Sequence, residues 1–143
     1  MQKVIWEIAD ILEKELHIQK ELLGLSKELT DVIINGEIKE LDNILKVQQT
    51  MIMTLGKLEE ERMEIASRLG DEDITMTDLI ARAEGKLAVR LQELFDDFSY
   101  VIDEQKTINN INKKLLKTNL EYIEFTLSNL TGNKTINLFD EKA

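Results

Sequence analysis

The chain has 143 residues, with 18 lysine and arginine side chains against 28 aspartate and glutamate side chains and a formal net charge of −10. This acidic excess disfavours nucleic acids and anionic membrane surfaces as partners, because their phosphate groups would be repelled. Cysteine is absent, which excludes disulfides and thiolate metal sites, and no apolar stretch is long enough for a signal peptide or a membrane span. We therefore expect a cytoplasmic protein without membrane insertion.

The first part of the chain predicts one amphipathic helix over residues 2–34. Apolar residues recur there at alternating spacings of four and three, which places them on one helical face. Glu15 is the single polar residue in this row, and Asn35-Gly36 is a typical helix end because both residues adopt left-handed backbone angles easily. The row consists of Val4, Ile8, Ile11, Ile18, Leu22, Leu25, Leu29 and Val32.

The second block predicts a helix of similar length over residues 37–69. Its apolar row is interrupted by Gln48 and Arg62, and polar residues in such positions usually fix the register between helices. We expect the Arg62 side chain either to extend towards solvent or to pair with a nearby glutamate. The row consists of Leu41, Ile44, Met51, Leu55, Leu58, Ile65 and Leu69.

An acidic loop, 70–73, separates this helix from a short helix predicted over residues 78–84. Either Thr75 with Asp78 or Thr77 can cap its first turn, because hydroxyl and carboxylate oxygens accept hydrogen bonds from free amide groups. Gly85 either ends the short helix or lies within a longer one.

The last helix is predicted over residues 86–130, followed by a polar tail, 131–143, that we expect to be mobile. Its apolar row carries Gln105, Asn112 and Asn119 at intervals of seven residues. The predicted fold is therefore all-α: one domain over residues 1–130, an antiparallel bundle of three long helices in which a short helix can form between the second and the third.

The unequal lengths of these helices predict an overhang. The first two helices would each span about 50 Å and the third about 68 Å, so roughly residues 119–130 would extend beyond the turn at Gly36. We interpret this apolar overhang as a partner-binding segment, since exposed apolar surface on a short helix otherwise needs cover. The alternatives are that the helix bends back or that a second copy of the chain covers it.

The sequence carries no recognisable catalytic motif. His17 is the only histidine; it could accept a phosphoryl group, but the residues after it do not resemble a phosphotransfer domain. The acidic clusters lack a Glu-x-x-His motif for a metal pair, and no Gly-rich phosphate loop is present. We expect neither an enzyme nor a cofactor.

Two segments carry recognisable motifs. Leu58-Glu59-Glu60-Glu61-Arg62, followed by Leu69-Gly70, is similar to the "LE-x-x-R … LG" end of the second helix in the FlgN-type flagellar export chaperones. Asn109 to Leu116, followed by Tyr122-Ile123, is similar to that family's late "N-x-x-N … LL" helix. The resemblance extends over nearly the whole chain in length and helix order.

This resemblance implies a cytoplasmic chaperone that binds the C-terminal helical segments of hook-associated proteins of the FlgK and FlgL type. It would keep them unassembled and deliver them to the flagellar type III export gate. In that family the C-terminal helical region binds the cargo. The corresponding candidate contacts are Asn109, Asn112, Leu115, Leu116, Leu120, Tyr122, Ile123, Phe125, Leu127 and Leu130.

Three other functions are compatible with the sequence. One is a coiled-coil scaffold that self-associates through the same apolar segment. Weak self-association is also compatible with the chaperone itself. A signalling bundle could use His17. A small acidic helical protein could also be the chaperone of another secretion system.

Overall fold

The computed structural model describes residues 1–131, except the side chains at 123, 126, 127 and 129–131. It contains four helices: α1 (Gln2–Asn35), α2 (Ile38–Ser67), α3 (Met76–Arg82) and α4 (Lys86–Thr131). No strand occurs in this part of the chain, and the predicted all-α class is confirmed. After Thr131, the predicted tail lies outside the described residues.

Local hydrogen bonds explain where the helices end. Gly36 has a φ of +68°, which lets its N–H donate to the Ile33 carbonyl and closes α1. At α3, the Thr75 hydroxyl accepts a hydrogen bond from the Asp78 N–H at 3.1 Å, so Thr75 is the cap and the helix begins at Met76. Gly85, with a φ of +56°, separates α3 from α4.

Helix α1 is the common packing surface of the molecule, since α2 and α4 both lie along it and make few direct contacts with each other. At one end the Gln2 amide donates to the Arg82 carbonyl, just before α4 begins. At the other end, the side-chain amide of Asn119 donates to the backbone carbonyl of Ile33 at 3.3 Å. Helices α1 and α4 are therefore parallel, and α2 is antiparallel to both.

Two apolar cores lie along α1. The proximal core joins the first half of α1 to α3, the end of α2 and the first half of α4. The distal core lies near the Gly36 turn and joins the end of α1 to the start of α2 and to Leu115 and Leu116 of α4. The buried proximal residues are Ile5, Ile8, Ala9, Leu12, Leu16, Leu23, Ala66, Ile74, Leu79, Leu87, Leu91, Leu94 and Val101, and the buried distal ones are Leu29, Val32, Ile33 and Ile44.

A polar layer around Ser26 separates the two cores. The Ser26 hydroxyl accepts hydrogen bonds from the Gln48 amide of α2 at 3.0 Å and from the Gln105 amide of α4 at 2.7 Å. The side-chain amide of Asn112 donates to the backbone carbonyl of Ser26 at 2.9 Å. The Thr30 hydroxyl donates to Asn112 Oδ1 at 2.5 Å. All three long helices are thus joined at one level.

A buried ion pair joins α1 to α2 within the proximal core. The Arg62 Nε donates to Glu15 Oε1 at 2.7 Å, and the Glu15 side chain is only 10% exposed. This contact explains both polar interruptions of the predicted apolar rows: Arg62 pairs with a glutamate, one of the two arrangements expected for it. Removing one partner would leave the other buried without its counter-charge.

We expect Arg62→Met to lower the free energy of unfolding by about 2 kcal/mol, because it leaves the Glu15 carboxylate unpaired in the core. The Arg62 side chain is 25% exposed, so the cost should fall below that of a fully buried pair. Urea unfolding followed by far-UV circular dichroism measures it.

The matched control is Arg68→Met, which breaks the pair between Arg68 and Glu7, whose side chains are 56% and 37% exposed. Exposed pairs contribute under about 1 kcal/mol, so this variant should unfold nearly as the parent does. Equal losses for the two variants would contradict the role assigned to the buried pair.

A second prediction concerns the polar layer. We expect Asn112→Ala to cost about 1–2 kcal/mol of stability, because the substitution removes hydrogen bonds to Ser26 and Thr30 at a site only 5% exposed. Asn110→Ala, two positions away on the exposed face, should change stability by less than about 0.5 kcal/mol. Thermal unfolding of both variants decides, and a similar loss in each would contradict the assignment.

Candidate partner-binding surface

Helix α4 continues past the turn that joins α1 to α2. The Asn119 amide reaches the carbonyl of Ile33, which lies three residues before Gly36. Tyr122 lines a shallow depression formed with Ile34, Gly36 and Ile38 at that turn. From there the helix runs on to Thr131, about 13 Å further along its axis.

Apolar side chains are concentrated where α4 passes the turn. Tyr122 and Phe125 are 71% and 65% exposed, and Leu120 is 38% exposed. From the turn itself, Ile34 and Ile38 add side chains that are 64% and 77% exposed. We call these five residues the distal apolar surface. Tyr122 and Phe125 lie about 160° and about 140° round α4 from Leu120, so this surface extends over two sides of the helix. A cluster of large exposed apolar side chains on a charged protein is typical of a binding site for another protein.

A cleft of about 190 Å³ opens within this surface, between α4 and the start of α2. Leu116 and Leu120 form its α4 side, and Ile38 and Leu41 form its α2 side. Val32 and Ile33 of α1 lie at its floor. An apolar cleft of this size can take one or two side chains of a docking segment and remove them from water.

The structure separates the sequence-predicted contact residues into three groups. Leu120, Tyr122 and Phe125 are exposed on the distal apolar surface. Asn109, Asn112, Leu115 and Leu116 lie further back along α4 and make contacts inside the molecule. Ile123, Leu127 and Leu130 belong to α4, but their side chains lie outside the described part of the chain.

Three members of this inner group, Asn112, Leu115 and Leu116, hold α4 against the other helices. Asn112 is buried in the polar layer. Asn109 is exposed, and its side-chain oxygen accepts a hydrogen bond at 2.8 Å from Gln105, one turn earlier on the same helix. Leu115 and Leu116 are half-buried and pack on the distal core. Leu116 also lines the cleft, so it contributes both to the core and to the candidate surface.

Ile34 and Ile38 were not among the sequence-predicted contact residues. Both flank the Asn35-Gly36 turn, and both are apolar residues outside the predicted buried rows. An apolar residue in such a place is the sequence signal that could have indicated an exposed contact. Periodicity in one helix cannot show which part of another helix passes next to it, so their proximity to Leu120 and Tyr122 required the structure.

No group of three His, Asp or Glu side chains within residues 1–131 could hold a metal ion. The pKa of the Tyr100 phenol is raised, because it donates a hydrogen bond to the Glu104 carboxylate and lies next to that negative charge. Among the described helices, none combines the length and apolar character needed to cross a membrane.

Comparisons with known proteins place the chain in a family. The family model described as "FlgN protein" matches residues 1–142. A Bacillus subtilis (strain 168) protein named "Uncharacterized protein YvyG" is 31% identical over 121 residues, which cover 83% of this chain and 76% of that protein. No solved structure matches the chain. The family match spans almost the entire sequence, and the chain therefore belongs to the FlgN family of flagellar export chaperones.

Proposed function

We propose that this protein is a cytoplasmic chaperone that binds the C-terminal helical segments of hook-associated proteins of the FlgK and FlgL type. It keeps them unassembled and delivers them to the flagellar type III export gate. The observation that carries the proposal is the distal apolar surface: a member of an export-chaperone family exposes Leu120, Tyr122 and Phe125 where α4 passes the α1–α2 turn.

The geometry suits the capture of an amphipathic segment. The cleft between Leu120 and Ile38 can take an apolar anchor of the cargo, while Tyr122 and Phe125 supply large contact areas on the other side of α4. Burial of this surface would also cover the cargo's own apolar residues, which is the physical requirement for keeping it from assembling. A cargo segment that folds on binding would lose conformational entropy and therefore bind less tightly than its buried area suggests.

Asn112 and Asn119 act indirectly in this proposal. Their amides donate to the Ser26 and Ile33 carbonyls, seven residues apart on α1, and so fix how far α4 extends beyond the turn. Leu115 and Leu116 support the same position from the distal core. The placements of Ile123, Leu127 and Leu130 along α4 make them candidate continuations of the contact.

We expect Phe125→Glu to weaken binding of the cargo by at least about tenfold, because it places a charge where an apolar contact forms. The measurement is a calorimetric titration of the protein with C-terminal fragments of the same organism's hook-associated proteins. Far-UV circular dichroism of the mixture reports any gain in helix content.

Val89→Glu is the matched control, since Val89 lies on α4 near its other end and is similarly exposed, at 59% against 65%. It should bind the fragments as the parent does, and both variants should keep the parent's helix content. Failure of the well-folded parent to bind any of these fragments would reject the proposed cargo. If the protein instead forms a tight dimer that buries Phe125, it is a self-associating scaffold.

A further inference from the structure

A second apolar region extends down the molecule from the distal apolar surface. Helices α2 and α4 both contact α1 but hardly contact each other, so a groove runs between them with α1 as its floor. We call it the α2–α4 groove. At its distal end Ile38 and Leu120 line one cleft, and at its proximal end Arg62 and Ile102 line another.

The α2 wall of this groove is apolar and poorly covered. Ile38 lines the distal cleft. Leu45 and Ile52 follow it at intervals of seven residues, so they lie along the same face of α2. The exposures of all three are 77%, 47% and 58%. In all of α2 only Ile44 and Ala66 are buried. A helix that buries so little of its apolar surface is typical of one with an unfilled neighbour position.

The α4 wall has the same periodicity. Ile102, Asn109 and Leu116 follow at intervals of seven, and Leu120 continues the stripe one turn later. Ile102 is 41% exposed and Leu120 is 38% exposed. Two stripes with helical spacing, apolar except at Asn109, that face each other across a groove fit the side chains of one additional helix.

A short helix of the chain, α3, lines the proximal cleft of this groove. At the proximal end, α3 packs against α4, and its Leu79 is 3% exposed within the proximal core. Leu79 lines the proximal cleft together with Ala66 of α2 and Phe98 of α4. Beyond α3, the stretch of α4 from Ile102 to Leu120 is about 27 Å long, which corresponds to a helix of about 18 residues. Clefts open at both ends of this stretch, and between them the Gln48 and Gln105 side chains meet over Ser26.

The charge along the α4 rim indicates the chemistry of the occupant. Lys106, Lys113 and Lys117 are exposed and adjoin the apolar stripe: Lys106 lies one turn after Ile102, and Lys117 lies one turn before Leu120. Within residues 1–131, none of the three lysines forms an ion pair with a described side chain. A row of positive charge in a chain of net charge −10 complements acidic side chains.

We propose that the α2–α4 groove binds an amphipathic helix of the cargo, about 18 residues long, whose acidic flank lies along the lysine rim of α4. This inference rests on the proposed function and extends it, because the cargo segment would run from the distal apolar surface towards α3. The bound helix would complete a four-helix arrangement and cover Leu45, Ile52 and Ile102.

The absence of cysteine allows a direct test with single labels. Ile52→Cys and Met53→Cys, each carrying a nitroxide spin label, place probes at neighbouring positions with similar exposures of 58% and 62%. Position 53 lies about 100° further round α2, away from the groove. On addition of the C-terminal cargo fragment, the label at 52 should become immobilised, while the label at 53 keeps its mobility.

A charge reversal tests the rim independently. Lys113→Glu should weaken binding of the fragment by about tenfold, whereas Lys114→Glu, on the next position round α4, should leave it nearly unchanged. Both lysines are exposed, so both variants should retain the parent's helix content and melting temperature.

The outcomes separate the two proposals. If the fragment binds but both labels respond alike and Lys113→Glu binds as the parent does, the groove proposal is wrong and the proposed function stands. If the fragment does not bind the parent at all, the proposed function fails and the groove proposal with it. If the label at 52 is immobilised by raising the protein concentration alone, a second copy of this chain is the occupant, which also overturns the proposal.

Discussion

The hydrogen bonds around Ser26 set the relative height of the three long helices, and the candidate binding surface depends on that height. Ser26 accepts from Gln48 of α2 and Gln105 of α4, so a shift of either helix along α1 would break a bond in a partly buried layer. Asn119 repeats the α1–α4 contact near the turn. Because α4 is fixed at two levels, its last residues must extend beyond Gly36.

The polar residues in the predicted apolar rows show how much of the helix packing the sequence predicts. The sequence predicts that Gln48 and Arg62 fix the register between helices, and that Arg62 pairs with a glutamate where it does not extend towards solvent. Periodicity within one helix does not reveal the partner, however, so neither Ser26 nor Glu15 could be assigned in advance. The same limitation hid Ile34 and Ile38, whose importance comes from the helix that passes them.

The arrangement of α2 leaves apolar side chains exposed that stability alone would cover, which supports the proposed binding role. A bundle optimised for its own stability would bring α2 against α4 and cover Leu45 and Ile52, since each buried aliphatic side chain contributes about 1.5–3 kcal/mol. Instead, the Gln48 bond and the Arg62 pair hold α2 on α1, and α2 makes few direct contacts with α4. Apolar area that the fold leaves uncovered remains available to a partner.

The charge distribution distinguishes a cargo helix from other occupants of that area. A second copy of this chain would bring another net charge of −10 towards the molecule, and this long-range repulsion opposes close association at low salt. A segment whose acidic residues form one flank can place them along Lys106, Lys113 and Lys117 while its apolar flank enters the groove. Apolar contacts would then supply most of the affinity, and the lysine rim would select the orientation of the bound helix.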